Sequence, residues 1–289
     1  MRHSILLKYW HIYRNWLAGL FSAISILLTF YSWEDFGFND LCSKTIIIVS
    51  LFIFVAIVSV LCVCFFNKEH VWERGPGSLS VIYGDIMRIG FKKSFFQRRT
   101  PRLIVIPVNT HFDTIVEPPS PQALVSSSTI HGKWVSHFLE KEGINANILQ
   151  SRIYASLDSQ HIGYDTIDRE RGGNRCYTQG SCALIQGRNE VYFVLLAISD
   201  FNESNNAHTN KECLISNIKS LLFFLDSVGQ GAECFIPLMG TGLSRAGLTH
   251  KDSLHLILST IDLYNERVNS PLNIVIYKGD KSKVSIFDR

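Results

Sequence analysis

The chain has 289 residues, enough for one large or two small domains, with 46% hydrophobic residues and a formal net charge of +3. So small a charge excess argues against nucleic-acid binding, and the positive mean hydropathy points to a membrane portion beside a soluble one. The seven cysteines show no paired spacing with histidines that reads as a metal motif, which leaves reduced, mostly buried thiols.

Residues 1–15 carry Arg2, Lys8 and Arg14 and no acid, and are expected to be a cytoplasmic N-terminus. Trp16–Trp33 and Ile46–Phe66 are uncharged runs, the second of about the length that crosses a bilayer. Tyr9, Trp10, Tyr13, Trp16, Tyr31 and Trp33 flank the first run, where amphipathic rings favour membrane interfaces. A cleaved signal peptide needs small residues after the apolar run; Trp33-Glu34-Asp35 stands there instead. Residues 16–66 are therefore expected to form a transmembrane hairpin. Its loop holds Glu34, Asp35, Asp40 and only Lys44, whereas Lys68, Arg74 and the tract Lys92–Arg102 follow the second run. That bias places both termini in the cytoplasm. Ala18-x-x-x-Ser22 and Gly19-x-x-x-Ala23 offer a small-residue face for helix association.

Residues 67–77 read as a polar linker ending in Gly75-Pro76-Gly77, and 78–289 as one soluble domain. Within it the pattern predicts strands at Leu79–Tyr83, Leu103–Val108, Cys182–Gln186, Val191–Ile198, Cys234–Leu238 and Leu272–Tyr277. Helices are predicted over Gly132–Glu142, Lys211–Val228 and Asp252–Tyr264, the last after the start signal Thr249-His250-Lys251-Asp252. Lys92–Arg102 is either a solvated helix face or a patch for anionic lipid headgroups, and Arg171–Arg175 reads as a flexible exposed loop. Strands alternating with helices imply a sheet with parallel pairs covered on both faces.

Three loops that follow strands carry binding chemistry, and ligands of such sheets sit beyond the carboxyl ends of strands. Asp85 can accept from an exocyclic amine or cap a turn. Asn109 can pair with ribose hydroxyls or form an Asx-turn. Met239–Leu248, with Gly240, Gly242 and Gly247, can turn its backbone N–H groups towards phosphate oxygens, or merely bend the chain. Its spacing is neither the dinucleotide fingerprint nor a P-loop.

Gly84-Asp85-Ile86, a strand ending in Asn109, and Gly240-Thr241-Gly242-Leu243-Ser244 after a late strand together resemble the macro domain, a family that binds ADP-ribose and related nucleotides. With Tyr177-Thr178-Gln179-Gly180-Ser181, Pro237–Arg245 and two preceding spans, the layout resembles the membrane effectors of type II Thoeris anti-phage defence. The resemblance implies two N-terminal transmembrane α-helices followed by an α/β macro-like domain, a mixed sheet flanked by helices. It implies a multi-pass homo-oligomer in the bacterial inner membrane, contacting the lipid bilayer. A TIR-domain partner would supply an ADP-ribose derivative, a histidine conjugate, whose binding triggers membrane disruption and abortive infection. Asp85 and Ile86 would face adenine, with Asn109, His111, Phe112, Asp113 and Thr114 near the distal ribose. Met239, Gly240, Thr241, Gly242, Leu243, Ser244 and Arg245 would wrap the diphosphate, with no cofactor, metal or catalytic residue.

The sequence departs from hydrolytic macro domains. Val108-Asn109-Thr110-His111 replaces their Asn-Ala-Ala-Asn run, Glu117-Pro118-Pro119-Ser120-Pro121 interrupts the glycine-rich region, and paired glutamates are missing. A receptor is expected, the alternative being a membrane-tethered ADP-ribosyl hydrolase with His111 or Asp113 as base.

Overall fold

The computed structural model describes residues 2–37, 40–91, 100–120, 123–201, 207–208, 210–229, 231–241 and 247–288. The chain divides into a helical unit, residues 1–67, and an α/β unit, residues 68–287.

The helical unit is a hairpin of α1 (Arg2–Phe30) and α2 (Leu41–Phe65). Each contains a 22-residue stretch, Tyr9–Phe30 and Leu41–Cys62, long and apolar enough to cross a membrane. No proline interrupts residues 2–30, so the helix starts within the basic segment rather than at Trp16. The hydroxyls of Ser22, Thr29, Thr45 and Ser59 each donate to the carbonyl four residues back, which satisfies them without water. Asp40 caps α2 by accepting from Ser43 N at 2.8 Å, and Phe21 meets Phe52 across the hairpin at 5.6 Å.

The α/β unit begins earlier than 78. Lys68–Arg74 forms β1, paired antiparallel with β2 (Gly77–Gly84) through a turn at Gly75-Pro76. The expected linker is thus an edge strand. Its polar, charged residues suit a position with one open side, where they discourage pairing with other chains. Then follow α3 (Ile86–Phe91), β3 (Arg102–Asn109), the short pair β4 (Val116–Glu117) and β5 (Val125–Ser126), α4 (Ile130–Glu142) and α5 (Ala146–Ser159). A second short pair is β6 (Tyr164–Thr166) with β7 (Arg175–Tyr177). The chain closes with β8 (Cys182–Gln186), β9 (Val191–Phe201), β10 (Ala207–His208), α6 (Lys211–Val228), β11 (Glu233–Pro237), α7 (His250–Leu263) and β12 (Pro271–Tyr277). Of the tract Lys92–Arg102, residues 92–99 lie outside the described residues; Arg102 opens β3 and donates to the Ile89 carbonyl.

The sheet runs β1-β2-β12-β11-β3-β9-β10, with β8 also on β9. β2, β12, β11, β3 and β9 are parallel, and β1, β8 and β10 antiparallel. On β3, Leu103, Ile104, Val105 and Ile106 are all buried, the continuous apolar run of a strand covered on both faces. Ile104 and Ile106 join Phe193, Leu195, Trp134, Phe138, Leu149, Ile153 and Leu157 in one core beneath α4 and α5. Helices α6 and α7 bury Leu214, Ile218, Leu221, Leu254, Ile257 and Ile261.

Helix α7 starts with a capping box. Thr249 Oγ1 accepts from Asp252 N at 3.1 Å while the Asp252 carboxylate accepts from the Thr249 backbone. Thr249→Ala is expected to lower unfolding free energy by about 1 kcal/mol, and Thr249→Asp to keep most of it. Denaturant titration checks this; equal midpoints for Ala and wild type would deny the cap any weight.

Candidate functional site

Because β2, β12 and β11 are parallel, their carboxyl ends open onto the same edge of the sheet. A cleft of about 700 Å³ lies there. Gly84, Asp85, Ile86, Met87, Arg88 and Phe91 line it from the end of β2 and α3, and Ile130, Lys133 and His137 from α4. Pro237, Leu238 and Thr241 close it from the end of β11, His250 from α7, and Val275, Tyr277 and Asp280 from the end of β12.

Asp85 and Ile86 therefore do share one cleft with Thr241. The Asp85 carboxylate also accepts from Met87 N at 2.9 Å, so turn-capping and cleft-lining are both real for this residue. Met239 is buried and its carbonyl accepts from Ser253 Oγ at 2.6 Å, which ties the loop to α7. Gly240 has φ +81°, the left-handed conformation that the sequence reserves for glycine here. Gly242, Leu243, Ser244 and Arg245 lie outside the described residues.

Asn109, His111, Phe112, Asp113 and Thr114 are all buried, and none of them is among the residues that line the cleft. They form a loop that satisfies itself. Asn109 Nδ2 donates to Asp113 Oδ2 at 3.1 Å, and Asp113 N donates back to Asn109 Oδ1 at 3.1 Å. Asp113 also accepts from Gly173 N at 2.7 Å and pairs with Arg169 Nη1 at 3.4 Å. Thr114 Oγ1 bonds Ala146 O and Gln150, Phe112 packs edge-on against Tyr177, and His111 Nδ1 lies 3.1 Å from Arg175 O.

The Arg171–Arg175 segment is correspondingly not a free loop. Gly172 has φ +86° and sits so close to the Asp113 carboxylate that a Cβ would collide with it. Arg171 pairs with Glu117, which also accepts from Leu124 N. Arg175 is bound to Asp158 at 2.8 Å and stacked over Tyr154 and Tyr164.

A family profile described as "Thoeris protein ThsA, Macro domain" matches residues 79–277. The chain belongs to the ThsA macro-domain family. Thoeris protein ThsA of Bacillus amyloliquefaciens (strain Y2) is 24% identical over 288 residues, covering 95% of this chain and 88% of the relative, so the alignment takes in most of the hairpin too. Among solved structures, the Oceanobacillus iheyensis macrodomain with ADP is 12% identical with a TM-score of 0.45, covering 77% of this chain and 94% of that one. The Trypanosoma brucei macrodomain in complex with ADP-ribose is 10% identical with a TM-score of 0.40, covering 71% and 66%.

As a ThsA macro domain, the α/β unit is a mixed sheet flanked by helices, as the sequence implied. Its cleft also contains groups that sequence reading passed over. Lys133 and His137 stand one turn apart on α4, on a face beside that of Trp134 and Phe138, and His137 stacks on Phe91 at 5.6 Å between ring centres. Ile130 precedes Lys133 by three residues, so the 130, 133, 137 spacing was a legible second face. His250 faces Asp280 at 3.5 Å across the mouth of the cleft. Tyr277, Phe91 and Ile86 supply flat or apolar surface, and Asp85 an acceptor.

Burial is the largest influence on two nearby histidines. It pushes His111 below its usual pKa, helped by the charge of Arg169. Fully enclosed at the start of α4, His131 is pushed down to about 3. The unfolded chain therefore takes up a proton that the folded chain refuses between the ordinary histidine pKa and about 3. Stability from His131 is whole above about pH 6.5. It is lost as pH falls towards 3, by at most about 1.4 kcal/mol per pH unit. His131→Gln should flatten that portion of a stability-versus-pH curve; an unchanged slope would contradict a buried neutral imidazole.

Proposed function

We propose that this protein is a membrane effector of Thoeris anti-phage defence, and that its macro domain is a receptor for an ADP-ribose-derived signal. The supporting observation is the single cleft that joins Asp85 and Ile86 on one side to Gly240-Thr241 on the other, at the carboxyl ends of parallel strands. Asp85 accepts from the adenine amine while Ile86 packs on the ring. The turn at Gly240 and Thr241, with the loop that follows, takes the diphosphate. The Oceanobacillus iheyensis and Trypanosoma brucei macrodomains hold ADP and ADP-ribose, which is the same ligand chemistry.

Upstream, a TIR-domain partner makes the signal, a histidine conjugate of ADP-ribose. Downstream, α1 and α2 span the inner membrane with both termini in the cytoplasm. Ligand binding then favours an oligomer in which copies of the hairpin associate and disrupt the bilayer, causing abortive infection. A ligand shifts such an equilibrium only by its tighter binding to the associated state. The receptor reading is favoured over a hydrolase because Asp113 and Asn109 are committed to each other and to Gly173 and Arg169. A general base needs a free hydrogen-bonding position on the reacting water.

Calorimetry on the full-length protein in detergent, titrated with ADP-ribose and its histidine conjugate, tests the receptor. Leakage of dye from vesicles carrying the protein tests the effector. Saturable heat with ligand-dependent leakage is expected. No heat with either compound defeats the receptor, and turnover of an ADP-ribosylated protein defeats the non-enzymatic reading.

A further inference from the structure

We propose that His111, Cys176 and Asp200 form a binding site for one zinc ion, at the edge of the buried Asn109–Thr114 loop and outside the nucleotide cleft. One donor atom from each of the three, a ring nitrogen, Sγ and a carboxylate oxygen, lies within 4.8 Å of the other two. Zinc takes these donors tetrahedrally at about 2.0–2.3 Å, which puts neighbouring ligand atoms roughly 3.5 Å apart. Side-chain shifts of about 1 Å therefore close the site. A mixed nitrogen, sulfur and oxygen set suits zinc and disfavours calcium or magnesium, which prefer oxygen alone.

The three donors are brought together by backbone, not by chance side-chain drift. Thr110 N donates to Ser199 O at 2.9 Å, which sets His111 beside Asp200 at the ends of β3 and β9. Tyr177 N donates to Thr110 O at 3.0 Å, which sets Cys176 of β7 alongside. The surrounding shell is also of the kind that orients metal ligands. His111 Nδ1 meets the Arg175 carbonyl at 3.1 Å; a proton there makes Nε2 the nitrogen with the lone pair. Thr110 Oγ1 donates to Asp200 Oδ1 at 3.0 Å and holds the carboxylate.

Charge is consistent with a divalent ion. Zinc forms its bond to sulfur by displacing the thiol proton of Cys176 into solvent. The thiolate and Asp200 then balance the ion, and the exposed position of Asp200 gives it a way in. Arg169 opposes a cation here, but its guanidinium is paired with Asp113 and bonded to Gly173 O. The ion clamps together the ends of β3, β7 and β9, and a water completes its coordination.

The test uses full-length protein in detergent, stripped by chelator and titrated with cobalt(II) as the probe, followed by zinc. One equivalent of cobalt should produce an intense thiolate-to-cobalt charge-transfer band that zinc then abolishes. Cys176→Ser should lose the band, Cys42→Ser should keep it, and Thr110→Val should weaken binding by about 10–100-fold through the carboxylate it orients. Should Cys176→Ser fail to fold by circular dichroism, Thr110→Val and Asp200→Asn carry the test. Lack of a band at stoichiometric cobalt, or a band equally strong in Cys176→Ser or in both Asp200→Asn and Thr110→Val, overturns the proposal.

Discussion

Replacing Thr241 with glutamate is expected to reduce ADP-ribose affinity by roughly two orders of magnitude or more while leaving the fold intact. Thr241 is half-buried and lines the cleft directly after Gly240, whose left-handed conformation turns the chain there. A carboxylate at this place would face the diphosphate in a partly water-excluded cleft. Like charges brought together at an interface cost several kcal/mol, and each 1.4 kcal/mol or so is a factor of ten. Thr241→Ala removes only a hydroxyl and should cost about tenfold at most. Calorimetry on the three proteins separates charge from volume. If the glutamate variant binds like wild type, the diphosphate does not lie at the end of β11, and the assignment of the glycine-rich loop fails with it.

The parts of this fold legible in the sequence are those where one physical pattern dominates. Strands β3 and β11 are continuous apolar runs because both their faces are covered, β12 is interrupted only by the buried, hydrogen-bonded Asn273, and runs of that kind announce a central parallel strand. Helix α6 shows its buried stripe at Leu214, Ile218, Leu221 and Leu225, and α7 shows its capping box. Polar segments misled. Lys68–Arg74 has a linker's composition, yet an edge strand needs pairing on one side only and tolerates the same residues. Helix α5 is not announced by its sequence although Asn145 caps it and Leu149, Ile153 and Leu157 repeat at helical spacing; the polar residues between them dilute the signal.

The candidate site divides along the same line. Asp85 and Thr241 could be placed because both follow recognisable strands. Asn109–Thr114 follows one too, but its atoms are spent on Asp113, Gly173 and Arg169, and no local pattern reveals partners some 60 residues away. Arg171–Arg175 looked like a free loop for the same reason: Asp113, Glu117 and Asp158, which fix it, are distant in the chain. The His111, Cys176 and Asp200 cluster has no spacing motif at all, since β3–β9 pairing and the hydrogen bond from Tyr177 N to Thr110 O assemble it.

Trp134→Ala should be among the most damaging substitutions in the α/β unit, costing about 3–5 kcal/mol. The ring is fully buried and meets Phe138 at 5.2 Å and Phe193 at 5.6 Å, where α4 sits on the sheet. For a unit of this size each kcal/mol moves the thermal midpoint by about 2–4 °C, so a fall of roughly 10 °C is expected. Trp134→Phe should cost far less. It keeps an aromatic contact, and it removes an indole Nε1–H that is buried without a hydrogen-bond partner among the described residues. The two variants also separate stability from binding. Lys133 and His137 line the cleft from the same helix, so loosening α4 on the sheet blurs their position even in molecules that stay folded. At a temperature where Trp134→Ala remains folded, its ADP-ribose affinity should still fall, while Trp134→Phe binds nearly as wild type does. Equal affinity in all three would mean that α4 is a wall the ligand does not touch, and would move the recognising groups to α3 and the ends of β11 and β12.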